Sequence, residues 1–105
     1  MQRGEVWWAE LEPPVGRRPV VLLSRNESYA AREIIIIAPI TTRIRHILSE
    51  VPLSIEDGLP RNCVVNIDSI TTVKKASLSE RQSILSSVKM KAISAAIHFA
   101  LGLDD

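Results

Sequence analysis

Apolar and polar residues alternate over residues 4–11, with Val6 and Trp8 on one side of an extended chain and Trp7 and Ala9 on the other. That period of two predicts a first strand, which Glu12-Pro13-Pro14-Val15-Gly16 breaks. A second strand opens at Pro19, where a missing N–H is tolerated, and runs through Val20, Val21, Leu22 and Leu23 to the polar Ser24-Arg25-Asn26. After a polar loop, Ile34-Ile35-Ile36-Ile37-Ala38 is an unbroken β-branched run, the pattern of a strand covered on both faces. Pro39 bends or ends it before Ile40-Thr41-Thr42. Shorter strands are expected over 50–54, 62–67, 70–75 and 81–85, with turn signals at Asp57-Gly58 and Pro60. From Ser86 the spacing becomes helical. Val88, Ile93, Ala96, Ile97, Ala100 and Leu101 lie near one stripe, Ser86 or Ser87 caps the start, and Gly102 caps the end.

Several short strands followed by one terminal helix predict a mainly β fold, a strongly bent sheet or small barrel with the helix packed on it. At 105 residues the chain holds one domain, spanning 1–105. Its 46% hydrophobic and 24% charged composition is that of a folded protein. The single cysteine, Cys63, excludes an intrachain disulfide and a multi-cysteine zinc cage, and its expected place is inside the core. No stretch reaches the roughly 18 apolar residues of a membrane span, and the N-terminus enters the first strand with no apolar leader. A cytoplasmic, non-membrane protein is expected.

The net charge of +1 conceals an uneven distribution. Residues 13–49 carry Arg17, Arg18, Arg25, Arg32, Arg43 and Arg45 against Glu27 and Glu33, with His46 besides. All the excess there is arginine, whose planar fork matches a phosphate bidentately. A solvated surface of mixed charge would give the same count, so charge alone leaves nucleic-acid binding and solubility both open.

In chain order, Arg3-Gly4-Glu5-Val6-Trp7, Arg18-Pro19-Val20-Val21, Ala38-Pro39-Ile40-Thr41-Thr42, Gly58-Leu59-Pro60, Cys63-Val64-Val65-Asn66 and Leu101-Gly102-Leu103 resemble the ordered motifs of the MazF/PemK toxin endoribonucleases. The resemblance covers nearly the whole chain. It implies a small SH3-like (PemK/CcdB-like) β-barrel with a C-terminal helix, a homodimer, and cleavage of single-stranded RNA without a metal or other cofactor. It also implies a cognate antitoxin protein that blocks the RNA groove. On the matching positions, the family's catalytic pair falls on Arg18 and Thr41, and Asp68 stands where some members keep an aspartate implicated in the site. Two departures are visible: Asn66 replaces an arginine found in some relatives, and a short Pro-Pro loop stands where many carry a longer one that closes over RNA.

Metal-free cleavage through the ribose 2′-hydroxyl leaves a 2′,3′-cyclic phosphate and a 5′-hydroxyl, and it needs a cation at the crowded phosphorane. Arg18, held beside rigid Pro19, suits that need, and the Thr41 hydroxyl can bind the same phosphate or orient the attacking oxygen. An arginine, with a pKa above about 12, is a poor base, so Asp68 and His46 are the candidates for proton transfer. Asp68 reads equally as a turn residue before Ser69, and His46 as a loop or RNA-contact residue. Arg17, Thr42, Arg43, Arg45 and Asn66 are candidate RNA contacts, although strand alternation predicts that only one of Arg17 and Arg18 shares the Thr41 pocket. Trp7 and Trp8 are expected in the core and on the dimer face, and His98 in packing or at the surface. Two rival functions remain: a CcdB-like protein that poisons gyrase by gripping it with the helix end, and a degenerate relative that binds RNA without cutting. A gyrase-poisoning helix typically ends in an apolar aromatic tail, whereas this chain ends Leu101-Gly102-Leu103-Asp104-Asp105.

Overall fold

The computed structural model describes residues 1–103, so Asp104 and Asp105 of the acidic chain end lie outside the described residues. Seven strands form one antiparallel sheet: β1 (Glu5–Glu10), β2 (Arg17–Leu22), β3 (Ile34–Thr41), β4 (Glu50–Leu53), β5 (Cys63–Asn66), β6 (Thr71–Lys74) and β7 (Leu78–Ile84). Their order is β4-β5-β3-β2-β1-β7, with β6 beside the first half of β3. No ladder joins β4 to β7, so the sheet is bent but open, and "barrel" describes its curvature rather than closure.

β2 explains why an apolar run needs no alternation. Val21 and Leu23 enter a core beneath helix α2 (Ser87–Ala100), while Val20 and Leu22 enter a second core on the opposite face with Tyr29, Ile35 and Leu78. β2 therefore starts at Arg17, two residues earlier than expected, and Pro19 pairs with Trp8 inside it. Pro39 does not end β3 either. The strand continues to Thr41, pairing with β6 over Ile34–Ile37 and with β5 at Ile40 and Thr41, so the residue lacking an N–H stands where one edge ladder gives way to the next.

Other expectations need correction. Ile35 and Ile37 are buried, but Ile34 and Ile36 are 52% and 45% exposed, because the core that buries Ala38 and Ile40 on the same face does not extend over the first half of β3. β7 begins at Leu78 rather than 81, and the loop after β2 contains one helical turn, α1 (Ser28–Ala31), anchored by the buried Tyr29. The helix stripe is narrower than the spacing implied. Ile93 and Ala96 are buried and Met90, Ile97 and Ala100 pack against them, whereas Val88 and Leu101 face solvent. Both caps form as expected: Ser86 accepts the Lys89 N–H, and Gly102 (φ +68°) ends the helix with Gly102 N–H to Phe99 O and Leu103 N–H to His98 O bonds. No helix among the described residues is long and apolar enough to cross a membrane.

Candidate nucleic-acid interface

Strand register assembles the site. The β2–β3 ladder pairs Val20 with Pro39, and that register, continued two residues along each strand, sets Arg18 opposite Thr41. On the other side of β3, Thr41 pairs with Val64, and β5 in turn pairs Asn66 with Glu50. Residues two apart share a face, so Arg18, Thr41, Asn66 and Glu50 stand on one side of the sheet. All four line a cavity of about 430 Å³, walled by Leu11, Ile37 and Pro39 and joined by Arg43 and Arg45 from the loop after β3.

The polar groups of this cavity differ in their partners and in how far they are buried. The half-buried Arg18 guanidinium makes no hydrogen bond or ion pair with any described residue. Thr41 Oγ1 accepts the Arg43 N–H at 3.2 Å, which fixes the hydroxyl and leaves its hydrogen to donate elsewhere. Glu50, only 8% exposed, accepts the Arg45 N–H on Oε1 at 2.8 Å and pairs with no cation among the described residues. Asn66 donates to Ser69 Oγ at 3.1 Å, and its Oδ1 is buried without a partner.

Arg17 has the opposite character. Its guanidinium lies 4.6 Å from the centre of the Trp8 ring and reaches Glu80 at 2.9 Å and Glu10 at 3.4 Å. With Trp8, Thr42 and the buried Cys63 it lines a second cavity of about 350 Å³, to which Arg18 and Thr41 also contribute. Both arginines thus share a cavity with Thr41, contrary to the expectation from alternation, because Arg18 and Thr41 border both cavities. Trp7 takes the core role expected of it, while Trp8 forms cavity wall. Burial, with a smaller contribution from the Asp57 charge, raises the Cys63 thiol pKa and suits it to packing rather than nucleophilic chemistry.

The remaining candidates stand apart from Arg18. Asp68, exposed in a turn after β5, accepts a 2.6 Å hydrogen bond from the buried Ser49 hydroxyl and lines neither cavity. His46, at φ +57°, borders a different depression with Pro52, Cys63 and Lys89. His98 is exposed on the helix. Glu50 and Arg61, which lines the Arg17 cavity, escape a reading of the sequence. Glu50 alternates with Val51 and Leu53 in no special motif, and only the β4–β5 pairing brings it to the site.

A bent antiparallel sheet with a C-terminal helix, and a cavity in which an arginine unpaired among the described residues stands opposite a threonine hydroxyl, define the class as a small β protein with an arginine-lined cavity. More particularly, the chain belongs to the PemK-like, MazF-like toxins of type II toxin–antitoxin systems, whose family model matches residues 2–101. It is 43% identical over 100 residues to the Mycobacterium tuberculosis protein named "Probable endoribonuclease MazF5", covering 94% of this chain and 91% of that one. The Mycobacterium tuberculosis toxin MazF-mt6 superposes with a TM-score of 0.87 at 28% identity, covering 93% of this chain and 96% of that one. A mycobacterial endoribonuclease solved with its cognate antitoxin superposes with a TM-score of 0.86 at 27% identity, over 98% and 96% of the two chains.

Proposed function

We propose that this protein is the toxin of a toxin–antitoxin pair and a sequence-selective endoribonuclease that cuts single-stranded RNA by attack of the RNA's own 2′-hydroxyl. In that reaction the 2′-oxygen bonds to phosphorus, the bond from phosphorus to the 5′-oxygen breaks, the 2′-hydroxyl proton is lost and the leaving oxygen gains one. The products are a 2′,3′-cyclic phosphate and a 5′-hydroxyl. The chemistry is internal to the RNA, so no metal or cofactor enters this mechanism.

The observation that carries this reading is the free Arg18 guanidinium opposite the Thr41 hydroxyl. Arg18 binds the non-bridging phosphate oxygens most strongly as negative charge builds on them, and Thr41 donates its free hydrogen to the same group. Arg43 and Arg45 extend the positive field along the strand for neighbouring phosphates, with Thr42 at the rim of the Arg17 cavity. The exposed Ile34 and Ile36, and Val88, Phe99 and Leu101 on the helix, support a homodimer and a docked antitoxin.

The test is incubation of wild type and Arg18→Ala with a long single-stranded RNA in EDTA, with mapping of cuts and product ends. Discrete wild-type cuts with 5′-hydroxyl ends, absent from the variant, are expected. An uncut RNA with wild type would reject the nuclease in favour of RNA binding alone, or of gyrase poisoning if the protein inhibits gyrase.

A further inference from the structure

Glu50 presents an unusual combination: a buried carboxylate on a cavity wall, with no cation paired to it, although Arg18, Arg43 and Arg45 line the same space. Its register partner, Asn66, lines the same cavity and has a buried, unpartnered Oδ1. A buried acceptor without a donor is destabilising, so Asn66 Oδ1, beside a buried carboxylate that has one backbone hydrogen bond and no cation among the described residues, marks a place that a donor-bearing ligand completes.

Glu50 is badly placed to move the 2′-hydroxyl proton. β4 lies two strands from β3, about 10 Å at ordinary strand spacing, whereas a general base works within about 3 Å of its proton. The separation matches instead the distance from a scissile phosphate to an adjoining nucleobase. We propose that Glu50 and Asn66 form a guanine-reading subsite beside the Arg18/Thr41 phosphate site, an assignment that rests on the RNA-cutting function above.

The chemistry selects one base. A carboxylate offers two acceptor oxygens side by side, and on an unpaired Watson–Crick edge only guanine offers two adjacent donors, N1–H and the N2 amino group. Cytosine and adenine place a ring-nitrogen acceptor beside their amino group, which would face the second oxygen. Uracil flanks its N3–H with two carbonyls. Oε1 can retain the Arg45 N–H, because each carboxylate oxygen accepts more than one bond. Asn66 Oδ1 takes the second hydrogen of the N2 amino group. Ile37, Pro39 and Leu11 supply apolar surface for the face of the ring.

Two assays separate this subsite from the cleavage reaction. In the first, random-sequence RNA is cut by wild type and Glu50→Gln, and the cut sites are sequenced. Gln keeps an acceptor for the Arg45 N–H, so the loop stays held, but it cannot offer two acceptors to guanine. Wild-type sites should share guanine at one fixed position near the cut. Inosine there, which lacks the N2 amino group, should cut about 10- to 100-fold more slowly, and Glu50→Gln should lose the preference. In the second, wild type retains sequences from a random 2′-fluoro RNA pool, which has no 2′-hydroxyl to attack; guanine enrichment is again expected. Cuts with no guanine preference would overturn the subsite and leave the nuclease standing. Guanine-enriched binding without any cutting would overturn the nuclease and leave the subsite, and a bound pool without guanine enrichment would overturn the subsite.

Discussion

Arg18 and Thr41, set opposite one another by the register of β2 and β3, are the two residues that border both cavities. A phosphate held between them is open to RNA on either side, so a chain of nucleotides can cross the sheet edge with its scissile bond at their junction. Arg18→Ala should therefore reduce cleavage by at least about 100-fold, the scale for losing a preorganised donor at a developing negative charge. Arg18 has no partner among the described residues, so the substitution should shift the melting temperature by less than about 4 °C. A variant that cuts at the wild-type rate would remove Arg18 from the mechanism.

Arg17 should behave in the opposite way. Its guanidinium already holds two carboxylates and the face of Trp8, all partly exposed. Exposed ion pairs and cation–π contacts each contribute up to about 1 kcal/mol, so Arg17→Ala should cost about 1 kcal/mol of stability, or about 5 °C in melting temperature. Its cleavage should fall far less than that of Arg18→Ala. Thermal melts and initial rates on one RNA compare the two effects.

Thr41 separates donation from shape. Thr41→Val keeps the branched volume but removes both the acceptor for the Arg43 N–H and the hydrogen offered to the phosphate. Its cleavage rate should drop by about 10- to 100-fold. Thr41→Ser restores the hydroxyl and should recover most of that loss; equal rates for Val and Ser variants would show that the hydroxyl plays no part.

Much of this arrangement was legible along the chain, and the reason differs by element. Val20 to Leu23 announced a strand because each side chain had a core to enter, and the resemblance pointed to Arg18 and Thr41 before any register was known. The exposure of Ile34 and Ile36 was not legible, since a β-branched run looks the same whether its second face meets another layer or solvent. Glu50 was hidden for a topological reason. Its chemistry appears only when β4 pairs with β5 and β5 with β3, which brings residue 50 to the cavity that residues 41 and 18 also line. Asp68 was legible by residue type and by the resemblance, whereas the hydrogen bond that its Oδ2 accepts from Ser49 is visible only in the fold.

That engagement sets a fourth expectation. Asp68→Asn keeps an acceptor for the Ser49 hydroxyl, so it should retain cleavage within a few-fold of wild type, whereas loss of a general base typically costs about 100- to 10,000-fold. Asp68→Ala leaves the buried Ser49 unpartnered and should destabilise the fold by about 1–2 kcal/mol. Cleavage rates with denaturant midpoints for both variants distinguish a catalytic carboxylate from one that holds a turn.

The single tyrosine, Tyr29, gives a test of the second core that needs no RNA. Its hydroxyl donates to the Ser24 carbonyl at 2.9 Å under the short helix. Burial pushes its pKa from the ordinary 10.0 up to about 12, against a smaller lowering by the Arg3 charge. Below about pH 10 both folded and unfolded chains hold the proton. Between about 10 and 12 the unfolded chain has released it while the folded chain keeps it, so stability falls as the pH rises through that window. Ultraviolet difference titration should place the phenol midpoint near 12 in the native protein and near 10 in denaturant, and denaturant midpoints should decline over the same interval. A native midpoint near 10 would mean that Tyr29 is hydrated, and that the core on this face of the sheet is looser than the packing of Leu22, Ile35 and Ile37 requires.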